Sequence, residues 1–99
     1  MSKKPETVIE EAFVKWLKSS EYTAWAPKLV LLGMHGFPDR VVFCQGRIVL
    51  MEFKIPVTGV VSPQQKKIHK ILNKVGFNVY VPTSVKEAKE FFIKEMEAP

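Results

Sequence analysis

A single cysteine, Cys44, is all that this 99-residue sequence contains. One thiol forms no intramolecular disulfide and no cysteine-based zinc cluster. Its place inside an apolar run reads as a small buried hydrophobe in a reducing compartment. Long hydrophobic runs are also missing. The longest are strand-sized, so nothing is expected to span a membrane, and the opening MSKKPETVIEE has no apolar signal core. Internal repeats, low-complexity tracts and linkers are lacking as well. Together these absences lead to the expectation of one soluble domain over residues 1–99, located in the cytoplasm of a bacterium or phage-infected cell. A chain of this length buries about 60–65% of its extended surface, enough for one core of modest stability. Acidic residues are the minority, 10 against 15 basic ones, and the resulting net charge of +5 favours a polyanionic partner without identifying it.

What is present is punctuated clearly. Ile9, Ala12, Phe13, Trp16 and Leu17 make one apolar stripe at helical spacing, and Pro5 suits a first turn, so residues 5–19 read as a helix. Residues 26–32, APKLVLL, switch to a short strand-like run closed by Gly33 and Gly36. Residues 39–44 and 47–54 form two further strands around Gln45-Gly46, a two-residue hairpin turn. Ser62-Pro63 opens a second helix with an inward stripe of Ile68, Ile71, Leu72 and Val75, and Gly76 stops it. FNVYV (77–81) is a last strand. Ser84 caps a final helix, with Glu87 completing a capping box and Val85, Ala88, Phe91 and Phe92 facing inward. The order α-β-β-β-α-β-α predicts an α/β protein with a mixed central sheet flanked by helices. Its central strands should be apolar on both sides, as VVF and RIVLMEF are.

Within GFPDRVVFCQGRIVLMEFK, residues 36–54, three charges interrupt otherwise apolar strands. With Gln45-Gly46 as a two-residue turn, Cys44 faces Arg47 and Asp39 lies opposite Glu52, with Cβ atoms roughly 4.5–5.5 Å apart. Lys54 falls on the same face as Glu52, because side chains alternate along a strand. Glutamine does not favour the positive φ of such a turn, and a three-residue loop would slip the register by one while keeping the charges close. Two carboxylates held this close destabilise one another unless they are neutralised. Lys54 alone can neutralise one of them. A hard divalent cation between the two is the other solution, since Mg²⁺ is commonly held by one or two carboxylates and keeps waters that a phosphate displaces. Spacing by itself leaves both open.

The combination Pro38-Asp39, a hairpin and Glu52-Phe53-Lys54 resembles the motif of the PD-(D/E)XK nucleases. Its surroundings, GFPD, MEFK, SPQQ opening a helix and then GFNVYV, resemble the VRR-NUC family (virus-type replication-repair nucleases) in its short stand-alone form, from about Glu6 to Glu90. The resemblance implies a restriction-endonuclease-like fold and a phosphodiester hydrolase that uses Mg²⁺ or Mn²⁺. By it, Asp39 and Glu52 match the metal-binding carboxylates, and Lys54 matches the lysine that activates or orients the attacking water. Gln65 matches the glutamine after the serine-led turn. Glu10 matches the first-helix acid that joins the metal, with Glu11 the neighbouring candidate. Stand-alone members of the family imply a homodimer that cuts four-way (Holliday) junctions in DNA, and the family name implies phage replication, repair or recombination.

Plainer roles stand beside several of these. Gln65 lies three residues after Ser62 and Glu10 three after Thr7, both at capping-box spacing. Lys66, Lys67, Lys70 and Lys74 cluster on the polar side of the second helix, either as a solvated face or as sequence-independent phosphate contacts. His35 reads as a solvated loop residue, and His69 either faces the substrate or lies on the surface. No serine, cysteine or histidine is arranged as a nucleophile. The rival functions are a nuclease of the same superfamily for flaps, single strands or duplex, and a non-catalytic basic nucleic-acid-binding module with structural carboxylates.

Overall fold

Two proline-led helices and one serine-capped helix frame the chain. The computed structural model describes residues 4–99. Pro5 begins α1 (Pro5–Ser19), as its fixed φ and missing N–H allow at a first turn. Pro63 likewise begins α2 (Pro63–Lys74), where Ser62 and Gln65 form a complete capping box. Ser84 accepts from the Glu87 N–H to start α3 (Val85–Glu97). The Glu87 carboxylate reaches one residue further back than a capping box requires, accepting from the Thr83 backbone and hydroxyl. Four strands, β1 (Ala24–Trp25), β2 (Arg40–Cys44), β3 (Arg47–Met51) and β4 (Val79–Tyr80), complete the order expected from sequence.

The sheet runs β1-β2-β3-β4. The first three strands are antiparallel, and β4 is parallel to β3, because α2 carries the chain back across the sheet between them. The expected strand over 26–32 is displaced. Pairing with β2 starts at Ala24 and Trp25 and reappears in the same register as a single bridge, Lys28 to Arg40. Pro27 has no N–H to donate, and the Ala26 carbonyl accepts from the Arg40 guanidinium, so the edge strand is broken between these two contacts. Residues 30–34 leave the sheet and are exposed.

One face of the sheet is sealed. Val42, Cys44, Val49, Met51 and Phe53 pack against Phe13 and Leu17 of α1 and Ala88, Phe92 and Met96 of α3. Phe92 is its hub, with the rings of Phe13, Trp16 and Tyr22 at 6.2, 6.2 and 4.9 Å, distances at which aromatic pairs add to plain burial. Burial in this core pushes the Cys44 thiol pKa up, as expected for an inert small hydrophobe.

The opposite face carries α2, so helices flank the sheet on both sides as expected, but this helix covers its face only in part. No residue of α2 is fully buried. Its stripe is half-buried at Ile68 and Leu72 and exposed at Ile71 and Val75. Val41 and Leu50 are shielded, whereas Phe43 is 40% and Ile48 37% exposed near the hairpin turn. The reason is geometric: α2 crosses near β4, at the end of the hairpin away from its turn. Among the described residues no helix is long and apolar enough to cross a membrane.

Truncating the two faces should therefore have different costs. Phe92→Ala should lose about 3–5 kcal/mol, much of the total for a small domain, and Ile71→Ala less than about 1 kcal/mol. Urea denaturation followed by circular dichroism measures both.

Candidate active site

The turn sets the register on which the site depends. Gln45 and Gly46 both take positive φ, 53° and 72°, the pair of values that matches the twist of the flanking strands. Cys44 faces Arg47 and Arg40 faces Met51. One step beyond that last pair, Asp39 meets Glu52, as the sequence register anticipates. Backbone bonds hold both beyond the strand ends. The Glu52 N–H donates to the Tyr80 carbonyl at 2.8 Å and the Lys54 N–H to the Pro82 carbonyl at 3.2 Å, prolonging the parallel pairing. The Phe53 N–H donates to Oδ2 of Asp39 at 3.1 Å.

Asp39, Glu52, Lys54, Glu10 and Gln65 all line one cleft of about 330 Å³. Alternation sends Asp39, Glu52 and Lys54 to the face on the α2 side. Arg40 and Phe53 turn to the face packed by α1 and α3, where Phe53 joins the core. Glu10 approaches from α1 on that packed side. It is buried, and its Oε2 accepts from Arg40 Nε at 2.8 Å and lies 2.7 Å from Arg40 Nη2. Glu10 thus borders the cleft while tied to Arg40, and no bond to Thr7 is involved. Glu11 is exposed and does not line the cleft; of the α1 acids Glu10 and Glu6 do, Glu10 buried and Glu6 half-buried.

Gln65 arrives from the other side. Its Oε1 accepts from the Ser62 N–H at 2.9 Å, while its own N–H donates to Ser62 Oγ at 3.1 Å. The capping role is therefore realised at the rim of the cleft. Gly36 seats the helix there: at φ 91° it lies so near the Gln64 backbone that a Cβ would come within 2.7 Å of the carbonyl oxygen. No residue with a side chain fits this approach without displacing the helix start.

Glu52 is 1% exposed. Burial and then the hydrogen bond and charge of Asp39 push its pKa up from 4.5 to about 8; the Lys54 ammonium, 3.7 Å from Oε2, pulls it down by less. At neutral pH the metal-free pair therefore holds an extra proton, and Lys54 does not neutralise Glu52 by itself. His69 of α2 lies beside it, Nε2 3.9 Å from Oε1 of Glu52. Burial first, and Lys54 second, lower the imidazole pKa against the opposing charge of Asp39, a net shift that favours the neutral ring.

Two side-chain carboxylates with room for water suit a hard cation such as Mg²⁺ or Mn²⁺. Asp39 and Glu52 repel each other across the hairpin and Lys54 offsets only part of that charge, so a cation at their cleft-facing oxygens would relieve what the lysine does not. Among the described residues no group of three or more His, Cys, Asp and Glu side chains gathers to cage a metal unaided. Asp39 and Glu52 would therefore hold such an ion with water supplying the remaining positions.

Sequence reasoning did not find Arg40, nor Glu6, Lys28 and Lys4, which line the cleft with Lys54. Arg40 follows the motif aspartate directly, but its role shows only once α1 is placed. Lys66, Lys67, Lys70 and Lys74 are exposed on α2 and do not line the cleft.

No family model and no curated protein matches the chain. Among solved structures, one described as a VRR_NUC domain superposes with a TM-score of 0.81, at 24% identity, over 92% of this chain and 97% of that chain. The two share a fold over nearly their whole lengths, in agreement with the restriction-endonuclease-like arrangement expected from the sequence.

The raised Glu52 pKa has a measurable consequence. Between about pH 4.5 and 8 the folded, metal-free chain keeps a proton that the unfolded chain releases, so its stability falls as pH rises through that window. Thermal melts in EDTA should show this decline, and Glu52→Gln should flatten it and raise the melting temperature at pH 8 by about 5 °C or more. A parallel pH dependence in the variant would contradict the assignment.

Proposed function

We propose that this protein is a metal-dependent DNA endonuclease of the VRR-NUC type, acting on branched DNA and in particular on four-way junctions. The observation that carries the reading is the meeting of Asp39, Glu52 and Lys54 at one cleft, on a scaffold whose fold is that of a VRR_NUC domain. Asp39 and Glu52 would hold Mg²⁺ or Mn²⁺, which when bound supplies charge to polarise a phosphate and acidify a coordinated water. Lys54 stands 3.7 Å from Glu52 with its ammonium at the same cleft, placed to steady negative charge building on the phosphate. The backbone bond from Phe53 keeps Asp39 from turning away. Glu10 serves by fixing Arg40 and by adding a carboxylate to the rim, and Gln65 by holding the start of α2 at the cleft.

Charge supports the substrate class. Lys4 and Lys28 join Lys54 along the cleft, and the exposed Lys66, Lys67, Lys70 and Lys74 extend a basic surface over α2. Contacts of this kind grip phosphates without reading sequence, and their contribution falls with salt.

We further propose a homodimer. Symmetric cutting of a two-fold substrate needs two sites, and the described residues of one chain form one cleft of this composition. The partly open sheet face around Phe43, Ile48 and Trp25 supports a second copy there, since its rings remain exposed although Trp25 and Phe43 stack at 5.5 Å. Phe43→Glu should shift the species seen by light scattering from dimer to monomer and leave the fold intact; a monomeric wild type would refute the dimer.

The activity is tested by Mg²⁺- or Mn²⁺-dependent cleavage of labelled four-way junctions, flaps, single strands and linear duplex. Asp39→Asn should reduce cleavage by about a hundredfold or more while binding is kept or strengthened, because a negative charge facing phosphate is removed. Undiminished cleavage by Asp39→Asn would overturn the mechanism. Preference for linear duplex would reject the junction assignment, and binding without cleavage of any substrate would favour a nucleic-acid-binding module.

A further inference from the structure

Two buried polar atoms in the site face one another without hydrogen-bond partners: Oε1 of Glu52 and Nε2 of His69, 3.9 Å apart. A buried carboxylate oxygen left unpaired is costly, and an unpaired ring nitrogen adds a second penalty. Their side chains are 2% and 12% exposed, so water does not readily satisfy either. The separation exceeds an N–H···O hydrogen bond by roughly 1 Å, which small torsional changes in two side chains can close. The other Glu52 oxygen, Oε2, is on the Lys54 side at 3.7 Å.

We propose that His69 is a positioning residue of the metal site: its Nε2–H holds Oε1 of Glu52, leaving Oε2 to face the cleft and its cation. The inference rests on the reading of Asp39 and Glu52 as the cation-holding pair. His69 lies one helical turn after Gln65, so both fall on one face of α2. The Ser62–Gln65 capping box and the close seat of Gly36 set where that face points. The helix start and the orientation of Glu52 are thereby linked through His69. Partners of metal-binding carboxylates act in this way by fixing the rotamer of the group that meets the ion.

A histidine that merely fills space between α2 and the sheet would leave ion affinity alone, which separates the two roles. The test is Mn²⁺ titration into the full chain without DNA, by calorimetry, for wild type, Glu52→Gln, His69→Ala, His69→Leu and His69→Gln, with folding checked by circular dichroism. Wild type should bind, and Glu52→Gln should lose binding. The apolar variants that fold should bind about 10–100-fold more weakly. His69→Gln, whose amide N–H can replace Nε2–H, should recover most of the affinity. Wild-type affinity in a folded Ala or Leu variant overturns the role of His69 and leaves the metal site standing. A Gln variant as weak as these overturns the hydrogen bond. Absence of Mn²⁺ binding in wild type, or full binding by Glu52→Gln, refutes the metal reading and this inference with it.

Discussion

The opposition of Asp39 and Glu52 across the hairpin is the constraint around which the rest of the molecule is arranged. Two carboxylates do not choose to meet in a nearly dry place; the chain brings them there through backbone bonding. A two-residue turn fixes which residues face each other, and five residue pairs carry that register to the far end of β2 and β3. There the bonds from Glu52 to Tyr80, from Lys54 to Pro82 and from Phe53 to Asp39 take over. Each bond is worth only about 1 kcal/mol net, but together they leave the side chains few alternatives. A one-residue slip would turn Glu52 toward Phe13 and Phe92 and Phe53 toward the cleft. The same core that rejects this slip secures the charged cluster.

The unequal treatment of the two sheet faces follows from that arrangement. The face under α1 and α3 is apolar and closed, and it supplies most of the burial available to a small chain. The other face ends in the charged residues, and a helix laid tightly across it would close the cleft. α2 therefore touches the sheet near its site end, through His69, and leaves Phe43 and Ile48 partly open. The balance is one of access against burial. The buried pair gains nothing in stability at neutral pH without a ligand, since burial and mutual repulsion raise the Glu52 pKa more than Lys54 lowers it.

Much of this was legible because local chemistry and tertiary structure agree. Pro5, Ser62-Pro63 and Ser84 mark helix starts by backbone rules that hold in any context. Gln45-Gly46 specifies a register that follows from counting once the turn length is set. The disagreements arise where distant groups compete. APKLVLL has the apolarity of a strand, yet Pro27 and the claim of Arg40 on the Ala26 carbonyl interrupt its pairing. The α2 stripe has helical spacing, but spacing does not reveal how far the helix overlaps the sheet. Gln65 was legible in both of its aspects, the cap and the place at the cleft, and the structure shows the two in one side chain.

Glu10 shows why residue type and proximity do not settle a role. Strand alternation places Asp39 and Arg40 on opposite faces, so an acid arriving from α1 meets the guanidinium before the carboxylates. The pairing is physically reasonable: Glu10 is buried, and a fork of nitrogens at 2.7 and 2.8 Å compensates its desolvation. With Arg40 also bonded to Ala26, this cation ties α1, the edge chain and β2 together immediately beside Asp39. Such a tie compensates a third negative charge beside the Asp39–Glu52 pair. Asp39 and Glu52 thus face the cleft together, and Glu10 is held by its neighbour Arg40. Repulsion among three free carboxylates would work against folding, and the arginine next to the motif aspartate removes that conflict while leaving the acid at the rim.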